Sequence, residues 1–213
     1  MNKIFYIMGK SGSGKDSIFN LLMEDIQNGM FLDYDCDNIR PLIMNTTRPK
    51  RDGEIDGITY NFVTEEQMYK DKDEGKIIES RHYLTVDGFK YYYVSSDNIN
   101  LEQCSYIMTS GTPTSYAEMK KVYGDAMVPI VLLVEKDKRF LRLVEREKRQ
   151  KKPNYVELCR RFFNDESHDS EFDMENMKSL IPDQAIHNFL NEDMHQCHML
   201  LFMFIVETLR NKK

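Results

Sequence analysis

The sequence predicts an α/β fold in which a parallel sheet is covered by helices on both faces. Short, nearly continuous apolar runs are typical of buried parallel strands, and they lie at residues 4–8, 105–109 and 128–134. Segments with apolar residues at helical spacing alternate with them, at residues 15–27, 115–123 and 137–152. A glycine-rich loop joins the first strand to the first helix. This alternation is typical of strand–helix–strand units that build a parallel sheet.

Length and composition are consistent with one globular domain. A chain of 213 residues can bury one sizeable core, with small inserted lobes. It is 41% hydrophobic and 30% charged, as ordinary soluble proteins are. The net charge of −6 argues against a general nucleic-acid surface or an anionic-membrane surface, since both require a basic face.

The four cysteines are scattered and form no C-x-x-C pair, which favours free thiols in a reducing compartment. The apolar run at residues 4–8 is too short for a signal peptide. The apolar segment at residues 198–209 is too short to span a bilayer and is interrupted by Glu207, so we expect a buried helix. These features predict a cytoplasmic protein.

The loop after the first strand has the pattern G-x-x-x-x-G-K of a phosphate-binding loop, or P-loop. Its glycines let backbone N–H groups turn inward around an anion, and the helix N-terminus adds partial positive charge. Lys15 would reach the terminal phosphates. The alternative is a glycine-rich turn that binds nothing, but a strand before it and a helix after it favour phosphate. The predicted ATP-binding residues are Gly9, Ser11, Gly12, Ser13, Gly14, Lys15, Asp16 and Ser17.

One position departs from the P-loop pattern. Asp16 stands where a Ser or Thr on magnesium is expected. A carboxylate can hold Mg²⁺ directly or through water, and Ser17 is the neighbouring alternative. We therefore predict a magnesium site at Asp16 or Ser17.

Residues 46–95 differ from their flanks, since they are rich in strands, tyrosines and turns, and they predict an inserted lobe. Thr64 is the expected N-cap of a helix that Gly75 ends. Arg48 and Arg51 lie beside threonines in a turn-rich loop, and their planar forks match phosphate oxygens two at a time. The alternative for this loop is a solvated basic turn.

A second set of arginines follows the strand at 128–134. Arg139, Arg142, Arg146 and Arg149 recur at spacings of three and four, so they share one helix face, and Arg161 lies on the next helix. Such arginines can stabilise a phosphoryl group in transfer. They can equally form a solvent face laced with ion pairs, and the sequence leaves both interpretations open.

Two histidines near the C-terminus, His195 and His198, could suggest a metal site. No carboxylate lies at a recognisable spacing from them, and we expect them at the surface end of a helix.

Several of these segments together resemble the guanylate kinase family. The stretch T-T-R-P-K-R-D-G-E-I-D-G-I-T-Y-N-F-V at residues 46–63 is similar to the family's T-T-R-x-x-R-x-G-E-x-x-G-x-x-Y-x-F-V. The P-loop stands the expected distance upstream. Residues 75–79 resemble G-x-F-x-E, and residues 191–193 resemble a late N-D-D. The likeness is dense from the P-loop to Glu79.

The resemblance implies a P-loop NTPase-type core at residues 1–45 and 96–213, an inserted GMP-binding lobe at 46–95 and a helical lid near 139–163. It implies transfer of the γ-phosphoryl group of ATP to GMP, with Mg²⁺ as cofactor. The acceptor would be held by Arg48, Arg51, Tyr60, Glu79 and Ser110. The catalytic side chains would be Lys15, Arg48, Arg146 and Arg161.

Two positions depart from the family. Its strand after the insert ends in an Asp that reads guanine, and here Ser110 is nearest that place. Its Y-G-[ST] corresponds either to residues 93–95 or to residues 87–89. Two other functions therefore stay open: a P-loop kinase for another phosphorylated metabolite, and a non-catalytic binding module of the same fold.

Overall fold

A computed structural model describes residues 1–34, 36, 38–50, 54–85, 88–181 and 186–211, with backbone alone at 83–85 and 110. A five-stranded parallel sheet forms its centre. The strands are β1 (Ile4–Met8), β2 (Ile39–Pro41), β7 (Ser105–Gly111), β8 (Met127–Leu133) and β9 (His187–Leu190). Their order is β2-β7-β1-β8-β9, which puts β1 in the middle.

A smaller four-stranded sheet, in the order β4-β3-β6-β5, is formed by strands between residues 45 and 95, whereas the predicted insert began at residue 46. Its strands are β3 (Asn45–Thr46), β4 (Asn61–Phe62), β5 (Ile77–Thr85) and β6 (Gly88–Ser95). The long hairpin of β5 and β6 is antiparallel.

The described residues form seven α-helices. They are α1 (Lys15–Gln27), α2 (Glu65–Asp73), α3 (Pro113–Tyr123), α4 (Lys136–Lys148), α5 (Tyr155–Glu166), α6 (Met174–Leu180) and α7 (Met194–Arg210). Thr64 caps α2 as expected, and its hydroxyl accepts a hydrogen bond from the amide of Gln67. None of the helices described here is long and apolar enough to cross a membrane.

The alternation of side chains along β1 explains how both faces of the sheet are covered. Phe5 and Ile7 pack on one face, in a core that includes residues of α1 and α7. Ile4, Tyr6 and Met8 pack on the other face, against α3 and α6. Helices α4 and α5 share a separate small core, and we call this pair of helices the α4–α5 hairpin. The α/β fold with helices on both sides of a parallel sheet is confirmed.

Some boundaries differ from the sequence-based expectation. The strand expected near residues 41–45 is divided between β2, which belongs to the central sheet, and β3, which belongs to the small one. Two strand pieces expected near 76–79 and 89–94 extend into one hairpin, because pairing between the strands continues to the turn. Helix α4 ends at Lys148 instead of residue 152. Helix α6 was not expected, since its apolar side chains are few and acquire a partner only in the fold.

Helix α7 offers a direct test of this core. Leu201 is fully buried, whereas the adjacent Leu200 is mostly exposed. We expect Leu201→Ala to lower the free energy of unfolding by about 2–5 kcal/mol, because it removes buried methyl groups and leaves a cavity. Leu200→Ala is the matched control and should change it by less than about 0.5 kcal/mol. Urea denaturation measures both, and equal losses in the two variants would show that α7 is packed differently.

Candidate functional site

A large cleft opens at the carboxyl edge of the central sheet, where ligands bind in open parallel sheets. It has a volume of about 2120 Å³. The glycine-rich loop after β1, the start of α3, the small sheet and the α4–α5 hairpin all line it. The lining includes eleven of the side chains or backbone positions predicted from sequence: Gly9, Ser11, Gly12, Gly14, Lys15, Asp16, Ser17, Arg48, Tyr60, Arg146 and Arg161.

The loop after β1 depends on two glycines with left-handed backbones. Gly12 and Gly14 have φ of 80° and 84°. A Cβ at Gly12 would lie 2.7 Å from the carbonyl oxygen of Arg139, and one at Gly14 would lie 2.5 Å from the Asn191 amide nitrogen. Both positions therefore need glycine for conformation and for space. Ser13 lies between them, buried, with a hydroxyl that has no hydrogen-bond partner in the described part of the chain.

Lys15 begins α1 and faces the cleft. Burial lowers the pKa of its ammonium, and the carboxylates of Asp16 and Asp165 oppose that shift. A desolvated ammonium at a helix N-terminus is poised to gain from an anionic ligand. The side chains of Asp16 and Ser17 are exposed in the first turn of α1 and line the same cleft.

Arg48 is buried, and its guanidinium forms a two-point ion pair with a carboxylate. Its two terminal nitrogens lie 2.6 Å and 2.5 Å from the two carboxylate oxygens of Glu54. The guanidinium also stacks over Tyr60, 5.0 Å from the ring centroid. The Glu54 carboxylate raises the pKa of Arg48. This arrangement matches a bidentate anion site that a carboxylate fills. The predicted Arg51 lies outside the described residues.

Some arginines of helix α4 bind backbone carbonyl groups, and others face the cleft. Arg139 is buried, donates from Nη1 to the carbonyl oxygen of Ser11 at 2.8 Å and pairs with Glu166. Arg142 donates to the carbonyl oxygen of Asn191 at 2.8 Å. Arg146 faces the cleft, as does Arg149 one turn later. The interpretation of a common phosphate-facing set therefore fails for Arg139, which turns inward to the loop after β1.

The arginines of α5 pair with a carboxylate of their own helix. Glu157 accepts from Nε of Arg160 and from Nε of Arg161, each at 2.7 Å. The hydrogen bond from Arg160 and a second one from Arg161 lower the pKa of Glu157 to about 2. The two arginine side chains are more than half exposed, so these pairs exchange easily with solvent or with another anion.

Two acidic residues at the end of α5 contact the glycine-rich loop, and sequence reasoning missed both. Asp165 Oδ2 accepts a hydrogen bond from the amide of Ser11 at 2.5 Å. Glu166 accepts from Lys10 Nζ at 2.8 Å and pairs with Arg139. A carboxylate of the chain thus accepts a hydrogen bond from a backbone amide of the loop that is predicted to bind an anion. The contacts join residues more than 150 positions apart, and no local pattern in the sequence signals them.

Asn191, which the late N-D-D likeness singled out, also supports the loop. Its amide nitrogen donates to the carbonyl oxygen of Ser13 at 2.7 Å. The next residue, Glu192, pairs with Lys138, and Asp193 caps α7.

Glu79, the predicted reader of the acceptor base, is buried behind the cleft. Its Oε1 accepts from the Ser115 hydroxyl at 2.6 Å and lies 2.9 Å from Nε of Arg81. Arg81 lines the cleft, and Glu79 does not. Sequence analysis did not select Arg81. Ser110 lies in β7, where only its backbone is described, so its predicted contact stays a prediction.

One of the two histidines, His198, pairs with a carboxylate from another helix. Nε2 of His198 lies 2.6 Å from a carboxylate oxygen of Asp25 on α1. Within the described residues, no group of three or more His, Cys, Asp or Glu side chains could hold a metal ion. All four cysteines are free thiols.

Comparisons with known proteins agree on one family. The family model described as guanylate kinase matches residues 1–85. A guanylate kinase of Helicobacter hepaticus is 29% identical over 141 residues, which are 65% of this chain and 63% of that protein. A guanylate kinase of Thermotoga maritima is 38% identical over 77 residues, or 36% of this chain and 32% of that protein. The chain thus covers less than two thirds of the length of these relatives.

A solved structure supports the same fold over the whole chain. The crystal structure of guanylate kinase from Anaplasma phagocytophilum matches with a TM-score of 0.55 and 16% identity, over 100% of this chain and 87% of the other. This likeness concerns the fold, and the match to the family model is confined to residues 1–85, which include the glycine-rich loop and the arginine loop. Over residues 1–85 the chain is similar to the guanylate kinase family.

Proposed function

We propose that the protein is an ATP-dependent nucleoside monophosphate kinase that transfers the γ-phosphoryl group of ATP to GMP, giving ADP and GDP. The observation that carries this proposal is that Lys15 and Arg48 line one cleft. A transferring phosphoryl group needs alignment and charge compensation more than covalent help. Two anion sites that face one cleft can supply both.

The donor side of the proposal is the P-loop. The amides around Gly12 and Gly14 and the ammonium of Lys15 hold the ATP phosphates. The carboxylate of Asp165 on the Ser11 amide supports this assignment, since an anionic group already fits there. Asp16 and Ser17 would hold Mg²⁺ at the start of α1, where one carboxylate or hydroxyl suffices because water and phosphates complete the shell. Bound there, the ion neutralises charge on the phosphate oxygens.

The acceptor side is the arginine loop with Tyr60. Arg48 would exchange the carboxylate of Glu54 for the phosphate of GMP, because both present two oxygens to the same fork. We propose that Arg51 assists it. Arg146 and Arg161 would neutralise the remaining negative charge on the transferring phosphoryl group when the α4–α5 hairpin closes on the nucleotides. Four free thiols favour a reducing compartment, and we propose that the enzyme acts in the cytoplasm.

Two alternative functions were left open by the sequence. Asp16 at the Ser or Thr position and Ser110 at the Asp position fit a kinase for a different phosphorylated metabolite. A non-catalytic module would bind a protein instead. An intact lysine and a phosphate-shaped arginine fork argue against the module, since a scaffold has no need of them.

The decisive experiment is an ADP-release assay with ATP and Mg²⁺ across GMP, dGMP, AMP, UMP and CMP. We expect turnover with GMP and a loss of at least about 10²-fold in kcat for Lys15→Ala, which removes the charge on the donor phosphates. Lys121→Ala, at an exposed lysine of α3 that does not line the cleft, is the control. A protein that turns over none of the five and gains no thermal stability from ATP would be the binding module.

The lid arginine predicts a separate kinetic signature. Arg146→Ala should lower kcat about 10²- to 10³-fold, because its charge is needed most in the transition state, and it should change the KM values less than threefold. The control is Arg210→Ala, an exposed arginine at the end of α7. An unchanged kcat, or an effect confined to KM, would remove Arg146 from the catalytic set.

Removing the charge of the carboxylate that contacts the P-loop is expected to strengthen ATP binding. Asp165→Asn keeps an acceptor for the Ser11 amide and removes a negative charge beside the ATP site. We expect it to tighten ATP binding about threefold to tenfold, measured by calorimetric titration. Asp169→Asn removes the same charge from an exposed side chain of the same cleft and should change the Kd less than twofold. Equal or weaker binding in Asp165→Asn would show that the carboxylate does not compete with phosphate.

A further inference from the structure

A second, smaller pocket lies beside the glycine-rich loop, next to α6. It is lined by residues of β8, the start of α4, the end of α5 and α6, and it has a volume of about 230 Å³. Gly9 and Phe172 also line the large cleft, whereas the rest of the described lining of this pocket lies outside that cleft. The volume is below the range typical of sites for drug-sized ligands, so the pocket suits a molecule smaller than a nucleotide.

The floor of this pocket is apolar. Val131 of β8 and Met177 of α6 are buried and belong to the core on one face of the central sheet, and Phe172 packs against that core. Met174, one turn before Met177, is mostly exposed and lines the same pocket. Apolar side chains that line an open pocket lack packing partners on that side. Because methionine side chains adapt to irregular shapes, an apolar body that enters here gains buried contact area.

The charged side chains that line the pocket are three cations and one carboxylate: Lys10, Lys136, Arg139 and Glu166. Glu166 Oε1 accepts a hydrogen bond from Lys10 Nζ at 2.8 Å and also pairs with Arg139. Oε2 of the same carboxylate lies 3.8 Å from Nζ of Lys136, which is beyond hydrogen-bond distance. One carboxylate is thus shared among three positive charges, and the pocket carries a surplus of positive charge.

The surplus charge is carried by the lysines at the mouth of the pocket. Arg139 is 3% exposed and donates to the carbonyl oxygen of Ser11, whereas the side chains of Lys10 and Lys136 are 29% and 61% exposed. Burial alone would raise the pKa of Glu166, and the hydrogen bond from Lys10 and the charges of the other cations lower it overall. Glu166 is therefore ionised. Because one of the two ammonium groups already donates to it, a single further anionic group complements the mouth.

We propose that this pocket binds a small organic monoanion, a carboxylate on a compact apolar body. The carboxylate lies beside Lys136 and Lys10, and the apolar body packs against the floor. An inorganic anion would leave the floor unfilled, and a neutral apolar molecule would leave the ammonium surplus uncompensated. Ammonium groups act as point charges and do not offer the planar two-point geometry that an arginine presents to phosphate. The pocket lies apart from the proposed donor and acceptor sites, so this inference does not depend on the kinase function.

Methionines provide a direct readout by NMR, since Met174 and Met177 line this pocket whereas Met44 and Met194 line the large cleft. The experiment isotopically labels the methionine methyl groups of the full chain, assigns these four by single substitutions to leucine, and titrates sodium benzoate at constant ionic strength. Benzoate should shift the signals of Met174 and Met177 saturably, with a Kd of about 0.1–1 mM, as expected for a ligand of so few non-hydrogen atoms. The signals of Met44 and Met194 should not saturate in that range.

Two control ligands separate the charge from the apolar body. Benzamide has nearly the shape of benzoate without its charge, and acetate has the charge without the ring. Each should bind at least about tenfold more weakly than benzoate at Met174 and Met177, because each satisfies only one half of the pocket. Equal binding of benzamide would overturn the role of the lysines, and equal binding of acetate would overturn the role of the apolar floor.

A pair of lysine variants tests where the carboxylate binds. Lys136→Gln removes the more exposed ammonium and should raise the Kd for benzoate about threefold to tenfold. Lys121→Gln, at an exposed and ion-paired lysine of α3 that lines neither the pocket nor the cleft, is the matched control and should change the Kd less than about twofold. Thermal unfolding verifies that both variants are folded. An unchanged Kd in folded Lys136→Gln would overturn the assignment of the carboxylate to this lysine.

The wild-type titration decides the proposal without any variant. Saturable shifts confined to Met44 and Met194 would place benzoate in the large cleft and overturn the second site. The absence of any shift at Met174 and Met177 up to about 10 mM benzoate would overturn it as well. Neither result bears on the kinase proposal, which the ADP-release assay tests separately.

Discussion

Charge compensation governs the cleft. A guanidinium or ammonium taken out of water is unfavourable unless an anion accompanies it. Three cationic or donor groups of the cleft accordingly have a carboxylate of the chain beside them. Glu54 fills the fork of Arg48, Asp165 accepts from the loop amide of Ser11, and Glu157 lies between the arginines of α5. In the proposed reaction these carboxylates would give way to phosphate, so that substrate binding would be an exchange of anions.

The same ion pairs connect the hairpin to the P-loop. Arg139 reaches from α4 to the carbonyl oxygen of Ser11, and Glu166 reaches from α5 to Lys10. The glycines at 12 and 14 permit this approach, since a side chain at either would collide with α4 or with Asn191. The position of the hairpin and the shape of the loop are therefore set together.

The sequence predicted those parts that depend on local pattern. The central strands, α1 and the P-loop follow from apolar runs and glycine spacing, and the cap of α2 follows from Thr64 and its partner three residues on. Long-range pairing could not be foreseen. Arg139 belongs by spacing to the cleft-facing arginines, yet it turns inward because Glu166 is there. Arg81 carries no motif, and its position depends on a buried carboxylate and a serine from another element.

The solvent exposure of each arginine–carboxylate pair indicates which ligands could displace its carboxylate. The pairs of α5 are half in solvent, so almost any anion can displace their carboxylate at little cost. The pair of Arg48 and Glu54 is largely buried, with 8% and 17% of the side chains exposed. Removing one partner of a buried pair is strongly unfavourable unless another anion takes its place. A neutral nucleoside brings no such replacement, whereas a monophosphate brings two oxygens in the geometry that the fork already holds. The buried pair would therefore make phosphorylation of the acceptor a condition of binding, before any base is read.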